Sequence, residues 1–149
     1  MPDTLPLMIA GDAEAAGTLD VTSPYDGRRL ATVATGGSEH VENALATAHA
    51  LFRDRSRWRS TPQRIEWLEK TAELMDEQRD ALALLAASEG GKPLVDSIVE
   101  VRRAIEGVRL CIESLGAHAG SVIPLGTTDM SAGRSAYTQK EPIGVVVAV

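Results

Sequence analysis

Cys111 is the sole cysteine of the chain, so an internal disulfide is excluded, and as a thiolate nucleophile it would need a neighbouring base or cation to lower its pKa. No histidine lies near it in sequence. It falls at the edge of an apolar helical stripe, one residue before Ile112, and reads as an inert, buried structural thiol. His40, His49 and His118 are scattered and form no i, i+3 or i+4 ligand pair with Cys, Asp or Glu, so they are expected at the surface and no metal site is expected. Gly91-Lys92-Pro93 is not a phosphate-binding Walker loop, because Ala86 and Pro93 stand where that motif needs a glycine and a Ser or Thr. A G-x-G-x-x-G run is also absent. No catalytic residue is therefore assigned within the chain.

Two arginine patterns remain. Arg53, Arg55, Arg57 and Arg59 cluster but are interrupted by Asp54 and Trp58, which reads as a solvated helix-to-loop junction. Arg103 projects roughly opposite an apolar stripe, on a face that also carries Val99 and Leu110, so it does not stand on a simply solvated side. A guanidinium in such a place can either pair with Glu100 or Glu106, or offer its planar fork to an anionic group.

The elements that position these residues follow from periodicity. Leu94, Ile98, Val101, Ile105, Val108, Ile112 and Leu115 alternate four and three apart, predicting one amphipathic helix about six turns long. Gly90-Gly91 with Lys92-Pro93 stops the helix before it, and Gly116 and Gly120 close it. Val41, Ala44, Leu45, Ala48 and Phe52 predict a helix over 39–53, with Ser38 as N-cap. Ile65, Leu68, Ala72, Met75, Leu82 and Leu85 predict another from Thr61, taken as N-cap with Pro62 at the first position, to Glu89. Trp58 and Trp67 flank its start and are expected to seat the first turn. Before residue 36 the pattern is strand-like: Leu7-Met8-Ile9, Leu19 to Thr22 and Leu30 to Val33, with a turn at Pro24-Tyr25-Asp26-Gly27. Val122-Ile123 reads as extended, 125–134 as loop and 135–141 as an edge strand. The run Gly144 to Val149 is continuously apolar, the texture of a strand buried on both faces of a parallel sheet.

Composition bounds the class. With 149 residues, 44% apolar and 24% charged, the chain has the content of one globular domain. Its formal charge of −6 argues against a nucleic-acid surface. Leu5 to Ala10 is too short for a signal peptide, no membrane span is read, and the cytoplasm is the expected compartment.

Several of these segments together resemble the N-terminal half of the aldehyde dehydrogenase superfamily. They are Glu89 followed by Gly91-Lys92-Pro93-Leu94, Glu100-Val101 with Arg103-Ala104, and the exit from Gly120 to Ile123-Pro124. Ser23-Pro24-Tyr25-Asp26-Gly27 with Leu30 to Val33 is similar to the family's early Asn-Pro-x-x-Gly hairpin. Glu141-Pro142-Ile143-Gly144-Val145-Val146 is similar to its (Glu/Arg)-Pro-x-Gly-Val-Val strand. The order and spacing of these segments, from about Met8 to the last residue, carry the resemblance more than any one of them does.

The resemblance implies an α/β fold: three helices beside small antiparallel strands and the first strand of a Rossmann-like domain. Residues 38–118 would form a helical layer and 134–149 the bridging and first cofactor-domain strands, with the family's remaining sequence continuing past Val149. It implies NAD(P)-dependent oxidation of an aldehyde through a cysteine thioester in a homo-oligomeric enzyme, with the cysteine, the glutamate base and the oxyanion-binding asparagine all beyond this chain. Carried onto this sequence, Arg103 would face the substrate tunnel and favour an anionic aldehyde. Val149 would line the cofactor groove for NAD or NADP. The bare apolar run at 144–149 is also compatible with a stand-alone helical module whose last strand completes a partner's sheet.

Overall fold

In the computed structural model, which describes residues 4–10, 14–117 and 119–148, a β-hairpin leads into a set of helices. Strands β1 (Gly17–Thr22) and β2 (Arg29–Thr35) pair antiparallel, with Leu19 opposite Val33 and Asp20 opposite Thr32. The chain reverses where Ser23 O accepts from Gly27 N–H at 2.9 Å. Gly27 adopts φ 71° there, a region glycine enters without a Cβ penalty. The Ser23 hydroxyl and the Arg28 backbone N–H stabilise the charged form of Asp26 and hold its carboxyl below the usual aspartate range. Leu5 bridges to the other side of β2 beside Val33. Leu7, Met8 and Ile9, expected as a strand, form none, and Met8 is almost fully exposed.

Helix α1 (Ser38–Arg53) starts one residue earlier than its apolar pattern, with Gly37 rather than Ser38 as N-cap. A 3-10 turn at Arg55–Arg57 follows, capped by Asp54, whose carboxylate accepts from Ser56 N–H at 3.1 Å. Ser60, not Thr61, then caps α2 (Thr61–Glu77). Its hydroxyl accepts from Gln63 N–H at 3.4 Å while Gln63 Oε1 accepts from Ser60 N–H at 3.0 Å, a reciprocal capping box.

The single helix expected over 61–89 is two. Gln78 leaves helical geometry (φ −104°, ψ 10°), and α3 (Arg79–Gly90) begins on a new phase. Arg79 braces the corner between Asp76 at 3.7 Å and Asp80 at 3.6 Å. The phase shift turns Leu85 outward and brings Ala83 in. Helix α4 (Leu94–Ala117) is the expected long helix. It packs on both α2 and α3, with Ile105 buried at the centre of its stripe and Ala72 and Ala83 buried opposite.

Gly91 caps α3 in the left-handed conformation (φ 62°). A Cβ at that position would lie 2.6 Å from Pro24 Cγ, so the hairpin turn seats directly against the helix corner. Gly120, just past the end of α4, permits the approach of the Thr138 carbonyl in the small ribbon of β3 (Val122–Ile123) and β4 (Ala136–Tyr137). Residues 139–148 contain no strand. The run expected to be a buried strand has no strand beside it among the described residues, and Ile143, Val146 and Val147 stand exposed; Val149 lies outside the described residues.

Candidate functional site

Arg103 occupies the middle of α4 and is exposed, on the side turned away from Ile105. Helical spacing groups it with Val99, 41% exposed, and Leu110, 60% exposed. Gly107, one turn further on, leaves open space beside it, since nothing lies within 4 Å of where its Cβ would be. Of the two carboxylates available to pair with it, Glu100 is engaged by Lys92, and no ion pair joins Arg103 to Glu106 among the described residues. An uncommitted guanidinium between apolar side chains is thus presented on this face. Chemically it can hold one end of an anion through two parallel N–H···O bonds.

The other sequence candidates are not gathered around it. Cys111 is exposed, contrary to the expectation of a buried thiol, because the stripe packs through Val108 and Ile112 and leaves the flank of the helix in solvent. No cluster of three His, Cys, Asp or Glu side chains suits a metal among the described residues. Lys92 is bound to Glu100. A shallow hollow of about 150 Å³ is lined by Arg79, Asp80, Ile98 and Arg102, smaller than the roughly 300–1,000 Å³ of typical ligand pockets, and Arg103 does not line it. His118 and Val149 lie outside the described residues.

Two side chains do more than their sequence context indicates. His40, expected to be an idle surface residue, accepts the Gly37 N–H on Nδ1 at 3.0 Å. With Nδ1 accepting, Nε2 donates to Glu14 O at 2.7 Å, and the ring staples α1 to the segment before β1. Its place three residues after the N-cap was the available signal. Arg55, one of four clustered arginines, forks onto Glu141 at 3.2 and 2.7 Å. Trp67, expected to be seated, is 55% exposed with Arg59 over its ring at 5.3 Å.

Residues 11–149 match the model of the aldehyde dehydrogenase family. Succinate-semialdehyde dehydrogenase [NADP(+)] 1 of Mycobacterium ulcerans (strain Agy99) is 32% identical over 128 residues, covering 86% of this chain and 28% of that protein. The structure of aldehyde dehydrogenase 21 from Physcomitrella patens, solved with the reaction product succinate, superposes with a TM-score of 0.79 at 24% identity, over 89% of this chain and 28% of that one. PnpE, solved with nicotinamide adenine dinucleotide, gives 0.78 at 31% identity over 93% and 28%. The chain spans little more than a quarter of the length of these proteins.

Proposed function

The chain belongs to the aldehyde dehydrogenase family, and from that premise we propose that it forms the helical and bridging portion of an enzyme oxidising an anionic aldehyde to its acid with NAD or NADP. The observation that carries the substrate class is Arg103, uncommitted and flanked by apolar side chains on the exposed face of α4. The succinate semialdehyde named for the similar Mycobacterium ulcerans protein points the same way.

In this reading the dinucleotide accepts the hydride, and its groove begins around Val149. No glycine-rich phosphate cradle exists among the described residues, so this chain's share of the reaction is binding and orientation. Residues 38–118 supply a rigid layer, 134–149 lead toward the cofactor domain, and β3–β4 contributes to a homo-oligomer. Within that layer Arg103 grips the carboxylate end and leaves the carbonyl free at the other. Desolvating a guanidinium is costly unless an anion meets it, so the arginine selects as well as binds. No nucleophile, general base or oxyanion amide is assigned here, and the 149 residues alone are expected to oxidise nothing.

The test uses the intact gene product and follows NADH or NADPH formation with succinate semialdehyde and with an uncharged aldehyde of similar size. A charge-assisted bond contributes about 1.5–3 kcal/mol, so Arg103→Ala should lower kcat/KM for the anionic substrate by roughly ten- to two-hundred-fold and for the uncharged one far less. Equal losses would assign Arg103 a structural role and reopen the substrate class.

A further inference from the structure

Arg103 has two carboxylates at helical spacing on α4, Glu100 three residues before it and Glu106 three residues after it. The two are not equivalent. A carboxylate on the N-terminal side of its cation makes the stronger helix pair, because each charge then lies nearer the end of the helix dipole that suits it. Glu100 is therefore the competitor for the Arg103 guanidinium, and closing on it would take the fork away from any anion. It does not close, because its carboxylate is held by Lys92.

The backbone puts Lys92 within reach of α4 from outside that helix. It follows the left-handed cap of α3 at Gly91 (φ 62°) and precedes Pro93, whose carbonyl accepts from Asp96 and Ser97 N–H at 3.1 and 3.3 Å as α4 begins. Pro24 packs onto Gly91 from the hairpin and braces this corner. The lysine stem runs along Gly90, where a Cβ would lie 3.7 Å from Lys92 Cγ and Cε. On the far side, the burial of Ser97 and Ile105 fixes which flank of α4 meets α2 and α3. Glu100 and Arg103 stand exposed on the other flank, Glu100 one turn nearer the corner.

We propose that Lys92 is a positioning residue for substrate choice: by holding Glu100 it keeps the Arg103 guanidinium open to the anionic end of the aldehyde. This rests on the reading of Arg103 given above and adds the residue that keeps it available. An ion pair with exposed ends contributes little to stability. Its effect here is the partner it denies to Arg103.

The test uses the intact gene product and compares kcat/KM for succinate semialdehyde with kcat/KM for butanal in Lys92→Gln, Lys92→Arg, Glu100→Gln, the double variant K92Q/E100Q and Arg103→Ala. Lys92→Gln should lower the preference for the anionic aldehyde by roughly two- to fivefold, through KM, as Glu100 turns to Arg103. Lys92→Arg should keep the preference. Glu100→Gln should change it little in the parent and restore it in the Lys92→Gln background. A mere change of local charge would instead give Glu100→Gln the same effect in both backgrounds, so the cycle separates the two. A crystal structure of Lys92→Gln should show the Glu100 carboxylate within about 4 Å of the Arg103 guanidinium. An unchanged preference in Lys92→Gln, or equal effects of Glu100→Gln in the two backgrounds, would overturn the proposal while a selective loss in Arg103→Ala left the reading of Arg103 standing. Equal losses on both aldehydes in Arg103→Ala would overturn both.

Discussion

Ser97 is fully buried on α4, and its Oγ has no hydrogen-bond partner among the described residues. A buried hydroxyl left unmade carries its desolvation cost into the folded state, so Ser97→Ala should raise stability by about 1 kcal/mol, read as a higher urea midpoint with unchanged m. A loss instead would show that the hydroxyl is served. Gly91 makes the opposite case. Its positive φ and the 2.6 Å approach of Pro24 to its missing Cβ mean that Gly91→Ala combines backbone strain with a steric clash, a loss of more than about 2 kcal/mol by the same measurement. Half of that was legible, since Gly-Gly ahead of Lys-Pro announces a helix cap. That the cap also receives Pro24 was not, because no local pattern encodes which distant turn will dock. Arg103 was legible as an arginine on a partly apolar face. Arg55 was not, since nothing in Arg-x-Arg-x-Arg spacing distinguishes the member that meets an aromatic ring and a carboxylate.

At the level of elements, periodicity placed α1 and α4 to within about a residue or two, because each has one uninterrupted apolar phase. It joined α2 to α3 because the break at Gln78 falls without glycine or proline, and Met75, Leu82 and Leu85 happen to continue a plausible stripe across it. At the start of α2, Ser60 and Thr61 are both capping residues. Gln63, three beyond Ser60, decides between them through the reciprocal bond it makes. Ser60→Ala should therefore cost about 1 kcal/mol, whereas Thr61→Ala should cost much less, and paired thermal melts of the two variants distinguish them. The apolar run after Pro142 was read as a strand from its texture and from its likeness to the family's Glu-Pro-x-Gly-Val-Val strand, and no strand lies beside it among the described residues. Strand texture is a statement about burial, and it becomes a strand only where another strand offers hydrogen bonds.

For the molecule as a whole, the accessible surface is 11925 Å², whereas a compact monomer of 15.8 kDa would expose about 7,300 Å². The excess is rich in apolar groups: Val95, Val99 and Leu110 on α4, and no residue of α1 is buried. The isolated 149-residue chain should accordingly bind the dye ANS and sediment with a concentration-dependent mass. A dye-silent, monodisperse monomer would mean that these faces close on one another in solution. The Arg55–Glu141 ion pair has a further meaning when the chain is considered in time. Arg55 and Glu141 are 86 residues apart, and at the roughly 5–20 residues per second of synthesis the arginine precedes its carboxylate by roughly 4 to 17 s. Helices and hairpins close in microseconds, so the corner of Phe52, Trp58 and Arg55 can be standing before Glu141 leaves the ribosome. Glu141 then meets a corner already built by the chain that preceded it.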